Sequence, residues 1–403
     1  MVDATAALLI RDVRPLGGAS ADVLVRDGRI ASPAATPDAA PPGTPVLEGR
    51  GRLLLPGLVE AHTHLDKSLL GMAWYRNEVG PRLIDKIENE RAARRALPIP
   101  PRRQSARQVA LSVGHGTAHI RSHVDVDTEC GLAGIEGVLA TKEALRDLCT
   151  IQVVAFPQSG LLVRPGTLEL LDAALRMGAD AVGGLDPCSI DRDPKGNLDA
   201  VFGLAERHGK GLDIHLHEPG ELGLFSLELI VERARALGMA GRVVVSHAFC
   251  LGHPDPALVD PMLDALAAAG VAVMTTGAPS RPVPPVLRLA AAGVVTCAGS
   301  DGIRDTWGPY GNADMLERAT LIGLRNNLRR DDELALALDI VTAGGARALG
   351  LDGYGLRPGD AADLVLVEAE TVAEAVAQHP GGRTTLKAGR VVADGGRALI
   401  EVD

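Results

Sequence analysis

Apolar segments alternate with helical patterns through the middle of the 403-residue chain. Continuous apolar strands that alternate with helices are typical of a parallel sheet. The predicted strands are 58–64, 117–123, 151–158, 181–186, 212–217, 243–247, 271–275 and 294–301, and predicted helices include 167–177, 224–237 and 256–269. Eight such units predict a (β/α)₈ barrel of the TIM type, with a doubly wound open sheet as the alternative.

The ends of the predicted strands favour the barrel. Seven of the eight carry a polar residue: His64, His123, Gln158, Asp186, His215 and His217, His247, and Asp301. Barrel active sites form at the carboxyl ends of the strands. We therefore expect these side chains to surround one site.

The two ends of the chain show a different pattern of short strands and turns. Residues 1–55 and 350–403 both contain apolar segments of strand length that are separated by Gly-, Pro- and Asp-containing turns. We predict that they form one small discontinuous β-sandwich domain, and that residues 56–349 form the barrel.

Composition excludes several classes of protein. A formal charge of −10 argues against nucleic-acid binding, which depends on clustered Lys and Arg. No apolar run approaches the roughly 20 residues of a membrane helix, and no signal peptide is evident at the N-terminus. Five scattered cysteines without a CxxC pair favour free thiols in a reducing cytoplasm.

The strongest candidate for chemistry is the pair His62 and His64. Residues i and i+2 of a strand point the same way, so both imidazoles can bind one metal ion, Zn²⁺ or Fe²⁺. His215 and His217 repeat the spacing, and only one of them need be a ligand. Asp301 could add a carboxylate, although alone it fits a turn before a glycine equally well.

Three histidines and a carboxylate leave one metal position open for water, as catalytic sites require. Glu218 follows a strand end and could carry protons, or could be a helix cap or a surface acid. His247 could orient the attacking water, or could be a core histidine.

Two further residues are candidates for substrate binding. Gln158 offers both a donor and an acceptor to an amide-like ring edge, or is a buried structural amide. Lys67 could contact a substrate oxygen, or pair with Asp66. We expect His123 to lie behind a metal ligand and to orient that ligand.

Long motifs identify the chain as similar to the amidohydrolase superfamily. Residues 54–64, Leu-Leu-Pro-Gly-Leu-Val-Glu-Ala-His-Thr-His, resemble the opening of that superfamily, and residues 358–364 resemble its closing strand and turn. Within it, the chain is most similar to the branch that holds cytosine deaminase and N-isopropylammelide amidohydrolase. The motifs that carry this resemblance are 119–127, 152–158, 213–218, 246–248 and 300–307.

The resemblance implies a role for each site residue. The implied metal ligands are His62, His64, His215 and Asp301, with one divalent ion, Zn²⁺ or alternatively Fe²⁺. The implied catalytic residues are Glu218, His247 and Asp301, and the implied substrate-binding residues are Lys67, Gln158, Asp186 and Trp307. Barrels of this branch usually assemble as homo-oligomers.

The substrate is less defined by these motifs. Cytosine deaminase has a second aspartate directly after the metal-binding one, and here that position is Gly302. Lys67 and Asp186 are more similar to the triazine enzyme, whereas Glu218 and Gln158 are more similar to the deaminase. We expect an enzyme that removes an exocyclic amine or alkylamine from a small nitrogen heterocycle. The alternatives are a hydrolase that opens a cyclic amide, or a catalytically silent barrel.

Overall fold

The computed structural model describes residues 7–36 and 39–400. Its first five strands belong to the N-terminal part of the chain: β1 (Ala7–Pro15), β2 (Ala21–Arg26), β3 (Arg29–Ala35), β4 (Val46–Glu48) and β5 (Leu53–Pro56). Of the predicted β domain, residues 1–6, 37, 38 and 401–403 lie outside the described residues.

The middle of the chain forms eight parallel strands, and each predicted barrel strand is confirmed. They are β6 (Leu58–Thr63), β7 (Thr117–Asp125), β8 (Thr150–Phe156), β9 (Ala181–Leu185), β10 (Gly211–His215), β11 (Val243–Ser246), β12 (Val271–Thr275) and β13 (Thr296–Ala298). They pair in sequence order from β6 to β13. The backbone N–H of Asp301 donates to the carbonyl of His62 at 2.9 Å, which links the last strand to the first.

Helices separate the barrel strands, as the pattern predicts. The helices between barrel strands are α1 (Leu83–Ala96), α2 (Pro101–Gly114), α3 (Ala133–Ala144), α4 (Thr167–Met177), α5 (Pro194–His208), α6 (Gly220–Ala236), α7 (Pro256–Ala269) and α8 (Val286–Ala291). Three more, α9 (Met315–Arg325), α10 (Asp331–Ile340) and α11 (Ala343–Leu349), follow the last barrel strand, and α12 (Val372–Gln378) comes after the next strand along the chain. The predicted spans of α4 and α7 match the observed ones. No helix in the described ranges is long and apolar enough to cross a membrane.

The two chain ends form one small β domain, as predicted. The C-terminal strands are β14 (Leu364–Val367), β15 (Thr384–Lys387), β16 (Arg390–Asp394) and β17 (Arg397–Ala398). Strand β14 runs antiparallel to β5, with Leu364 opposite Pro56. This pairing joins the N-terminal and C-terminal strands in one mixed sheet.

A buried ion pair links the small domain to the barrel. Lys387 donates to the carboxylate of Asp363 at 2.6 Å and to the hydroxyl of Thr150 at 2.8 Å, at the start of β8. Nε2 of His119, on β7, lies 3.1 Å from Asp363. The pKa of Asp363 is lowered: burial raises it, but the hydrogen bond with His119 and the Lys387 charge outweigh burial.

Candidate metal centre and active site

Histidine rings from separate barrel strands meet at the carboxyl end of the barrel. The ring centroids of His62, His215 and His247 lie 4.5 to 5.1 Å apart. One nitrogen from each ring and one carboxylate oxygen of Asp301 all lie within 4.8 Å of one another. Because these residues lie at or just beyond the carboxyl ends of β6, β10, β11 and β13, closure of the barrel brings them together.

The donor atoms of this group fit a divalent metal ion. Nε2 of His62 and both ring nitrogens of His215 and His247 are buried without a hydrogen-bond partner among the described residues. Burial and then the neighbouring histidines lower the pKa of His215, and burial and His217 lower that of His247. Both rings are therefore neutral, which is the form that binds metal.

A hydroxyl relay fixes the orientation of His62. Ser246 donates its only hydroxyl proton to Asp213 at 2.6 Å, and its oxygen lies 2.9 Å from Nδ1 of His62. The oxygen of Ser246 must therefore accept a hydrogen bond from Nδ1–H of His62, which leaves the Nε2 lone pair free. Asp213 also lies 3.2 Å from Nε2 of His123, so one carboxylate contacts His123 directly and His62 through Ser246.

Asp301 occupies a constrained position beside the histidines. Its φ is +63°, in the left-handed region that non-glycine residues adopt mainly at functional or strained sites. Its Oδ1 lies 3.6 Å from Nε2 of His62 and 3.2 Å from Nε2 of His64. Burial raises its pKa, but the proximity of these two histidines lowers it well below its usual value.

His64 lies at the edge of the histidine group. Its ring centroid is 5.6 Å from that of His62, and it contacts Asp301 but is not one of the four residues whose donor atoms converge within 4.8 Å. His247 takes that fourth position. The structure thus brings together the four expected ligands and His247, which the sequence assigned to catalysis.

A cavity of about 260 Å³ opens beside Asp301. Its walls contain His64, Lys67, Lys86, Gln158, His215, His217, Thr276, Ala278, Pro279, Ser300, Asp301, Gly302, Asp305, Trp307, Gly308 and Arg318. Three of the four expected substrate-binding residues, Lys67, Gln158 and Trp307, are among them.

Lys67 is held by several partners at the cavity wall. Its ammonium group donates to Oε1 of Gln158 at 2.6 Å and lies 3.3 Å from carboxylates of Asp125 and Glu90. Burial lowers its pKa, but these acids raise it more, so Lys67 stays charged. Asp66, the alternative partner, instead accepts from Arg94 at 2.9 Å.

Trp307 forms another part of the wall. Its indole N–H donates to Glu90, and the ammonium groups of Lys67 and Lys86 lie 5.5 and 5.8 Å from its ring centroid. Cations over an indole face interact favourably with its electrons. Two positive charges and one hydrogen bond therefore hold the indole at the cavity wall.

Asp186 is fully buried and does not line this cavity. Its Oδ1 accepts the backbone N–H of His217 at 2.6 Å and of Glu218 at 3.2 Å. Its Oδ2 lies 2.6 Å from Nδ1 of His217. Asp186 is therefore placed to orient His217, whose ring faces the cavity.

Glu218 faces a second cavity of about 340 Å³, which shares His217, Asp301 and Trp307 with the first. Its Oε1 accepts the backbone N–H groups of Cys188 and Ser189 at 2.8 and 2.7 Å. The hydroxyl of Ser226 donates to its other oxygen. Burial raises the pKa of Glu218 although these hydrogen bonds lower it.

Sequence reasoning gave no role to several residues of the site. From the sequence, His217 is predicted only as an alternative ligand, and Asp305 has no predicted role beyond its place in the motif 300–307. Glu90 lies on α1, in a helical segment with no motif, yet it contacts both Lys67 and Trp307. Asp305 could have been found by its place four residues after Asp301, whereas nothing in the sequence marked Glu90.

Comparison with known proteins gives a family and close structural relatives. Residues 47–393 match the amidohydrolase family. N-isopropylammelide isopropyl amidohydrolase of Pseudomonas sp. (strain ADP) is 33% identical over 353 residues, which cover 86% of this chain and 87% of that protein.

Two solved structures resemble this fold over nearly its full length. N-isopropylammelide isopropylaminohydrolase from Burkholderia multivorans superposes with a TM-score of 0.94 and 51% identity, over 98% of this chain and 100% of that one. 5-Methylcytosine deaminase from Klebsiella pneumoniae, with 5-fluorocytosine bound, gives 0.83 and 30% identity, over 98% and 99%.

Proposed function

The chain belongs to the amidohydrolase family, and on that premise we propose that it hydrolyses the bond between a ring carbon and an exocyclic amine or alkylamine on a small nitrogen heterocycle. The observation that carries the proposal is the convergence of unpaired imidazole nitrogens on Asp301 beside a cavity of ring size. The relatives named above supply the substrate class, because their names specify ammelide and cytosine derivatives.

We propose His62, His64, His215 and Asp301 as the ligands of one divalent ion. Three imidazoles and one carboxylate suit Zn²⁺, with Fe²⁺ as the alternative. When bound, such an ion polarises the reacting centre and lowers the pKa of water toward neutrality.

The residues around this centre have separate roles in the proposal. Asp301 accepts the proton of the attacking water, because its carboxylate faces the cavity and is ionised, as its lowered pKa indicates. His247, neutral and unpaired, orients that water and stabilises the negative charge that develops on its oxygen as it adds to the ring carbon.

Proton delivery to the ring and the amine has two candidates. Glu218 is the carrier that the resemblance implies, but its carboxylate must leave the amides of residues 188 and 189 to reach a substrate. His217 already lines both cavities and is oriented by Asp186. We propose that Glu218 protonates the ring nitrogen and that His217 donates a proton to the departing amine.

We propose that the remaining residues of the cavity wall recognise the substrate ring. Oε1 of Gln158 is taken by Lys67, so the Gln158 amide NH₂ group is left to donate to a ring oxygen. Lys67 contributes positive charge, and Trp307 covers the ring. The second cavity, lined in part by Leu83 and Phe249, offers space for an alkyl group on the amine.

The proposal is tested by amine release. Metal-loaded enzyme is offered N-isopropylammelide, cytosine and pterin, and isopropylamine or ammonia is measured with and without a chelator. We expect release from at least one ring that stops on chelation and returns with Zn²⁺. Addition of water without amine release would instead identify a cyclic amide hydrolase, and tight metal without turnover on any ring would identify a silent barrel.

We also expect a cytoplasmic homo-oligomer whose partners are small molecules rather than nucleic acid or membranes. The five cysteines are free thiols, which fits a reducing compartment. Sedimentation of the purified protein would measure its assembly.

A further inference from the structure

Asp305 is a buried carboxylate that faces the ring cavity. Its residue is 5% exposed, and it lines the same cavity as Lys67 and Gln158. Its Oδ1 accepts the backbone N–H groups of Trp307 at 2.8 Å and Gly308 at 3.1 Å. Within residues 7–36 and 39–400, no hydrogen-bond donor reaches its Oδ2. Oδ1 of Asp305 is therefore hydrogen-bonded to the loop, whereas Oδ2 is available to a ligand.

Gly302 makes room for this orientation of Asp305. A Cβ atom at position 302 would lie 2.0 Å from Oδ2 and 2.8 Å from Cγ of Asp305. The φ angle of Gly302 lies outside the left-handed range, so backbone conformation does not require glycine here. A larger residue at position 302 would therefore displace the carboxylate of Asp305 from the position that it occupies.

We propose that Asp305 is a specificity-determining residue, and that its Oδ2 accepts a hydrogen bond from a ring N–H of the substrate. The inference rests on the proposed function in that it takes a heterocycle to be the occupant of the cavity. The inference also goes beyond the proposed function. Cytosine deaminase has a carboxylate directly after the metal-binding aspartate, where this chain has Gly302, and we assign that carboxylate's place to Asp305, three positions farther along.

The neighbouring groups define the ring edge that would fit. The free amide NH₂ of Gln158 and the Lys67 ammonium group donate hydrogen bonds, whereas Asp305 accepts one. Donors and an acceptor on one wall complement a ring that presents carbonyl oxygens and an N–H group. The substrate class is therefore an aminated ring that also carries a cyclic amide, –NH–C(=O)–, in preference to a ring whose nitrogens all lack hydrogen.

The variant Asp305→Asn separates recognition from structure. Asparagine keeps an Oδ1 acceptor for the amides of residues 307 and 308, but it replaces Oδ2 with a donor. The probe is cyanuric acid, whose ring consists of –NH–C(=O)– units, in mildly acidic buffer that keeps it neutral. Its N-trimethylated derivative, which has no ring N–H, is the matched ligand, and calorimetry measures both affinities.

We expect wild-type enzyme to bind cyanuric acid more tightly than the trimethylated ring. Asp305→Asn should weaken the binding of cyanuric acid about ten- to a hundredfold and leave bound metal unchanged, since a hydrogen bond to a charged group is lost. Equal affinity of the wild type for the two rings, or unchanged affinity of the variant, would overturn the proposal.

A second variant tests the role of Gly302. Gly302→Ala should displace Asp305 and weaken cyanuric acid binding to a similar extent, and the double variant with Asp305→Asn should be no weaker than either single one. Gly203→Ala, on α5 with open space around its Cβ position, is the control. Fully additive losses would show that the two positions act independently and would contradict the inference.

These outcomes are distinguishable from failure of the proposed function. Absence of amine release from every ring, together with Asp305-dependent binding of cyanuric acid, would reject the reaction and retain the recognition residue. Amine release that Asp305→Asn leaves unchanged in both kcat and KM would retain the reaction and reject the recognition residue.

Discussion

Nδ1 of His217 lies 2.6 Å from Oδ2 of Asp186, beneath the wall of the cavity. Burial lowers the pKa of His217, but the Asp186 charge outweighs burial, so the pKa is raised overall. The relationship gives a cavity-facing histidine a fixed orientation and a protonated form that persists to higher pH.

Asp186→Asn should therefore move a pH profile. If protonated His217 serves the departing amine, kcat/KM falls as pH rises through its pKa. Removal of the Asp186 charge lowers that pKa, so the alkaline limb should shift to lower pH. A variant whose turnover drops uniformly at every pH, with both limbs in place, would contradict this role.

Glu218→Gln should lower kcat about 10²–10⁴-fold if Glu218 transfers a proton. Glutamine keeps an oxygen acceptor for the amides of Cys188 and Ser189, so a purely structural role predicts near wild-type turnover. Metal analysis of the purified variant provides the control, because loss of the ion would explain inactivity in another way.

His64→Asn and His247→Asn should have different effects on metal content. We expect His64→Asn to lose metal, because His64 is a proposed ligand, whereas His247→Asn should retain metal and lose turnover. Elemental analysis and amine release measure the two effects. The opposite pattern would make His247 the fourth ligand, as its place among the converging donor atoms permits.

Ser246→Ala should weaken metal binding about 10–100-fold, since groups that orient ligands typically contribute this much. The substitution leaves Nδ1 of His62 without its hydroxyl partner. Competition with a chromophoric chelator measures the change. Ser105→Ala is the control, because its buried hydroxyl bonds to Thr141 away from the histidines, and equal metal loss in both variants would contradict the relay.

Asp363→Asn should destabilise the fold at neutral pH by about 3–5 kcal/mol, as loss of one partner of a buried pair leaves the other uncompensated. The folded pKa of Asp363 is lowered, so its contribution is complete above the unfolded value of about 4 and is lost as pH falls toward the folded value.

Urea unfolding of the wild type and of Asp363→Asn should therefore converge in acid. Asp199→Asn, at an exposed ion pair with Arg233, is the matched control and should have little effect. A constant difference between wild type and Asp363→Asn across the pH range would contradict the assignment.

The barrel could be predicted because its strands are buried on both faces. Such strands form continuous apolar runs, and eight of them alternating with helices leave few architectures. The same logic located His62, His215, His247 and Asp301, since each lies at or just after the carboxyl end of a strand. In a parallel barrel these ends all lie on one side. The amidohydrolase motifs then imply that His62, His64, His215 and Asp301 share one ion and that His247 acts in catalysis.

Only the tertiary structure determined the contacts between residues that are distant in sequence or that lie in loops. Asp186 was expected at the substrate, but the folded chain puts its carboxylate behind His217, 31 residues away. Glu90 lies on a helix without a motif, yet it contacts both Lys67 and Trp307. The role of Gly302 is evident only from the side chain of Asp305, which lies against it. The periodicity of apolar residues determines which face of a helix or strand is buried. The partner of a buried charge depends instead on how separate elements pack, and no local sequence pattern indicates that packing.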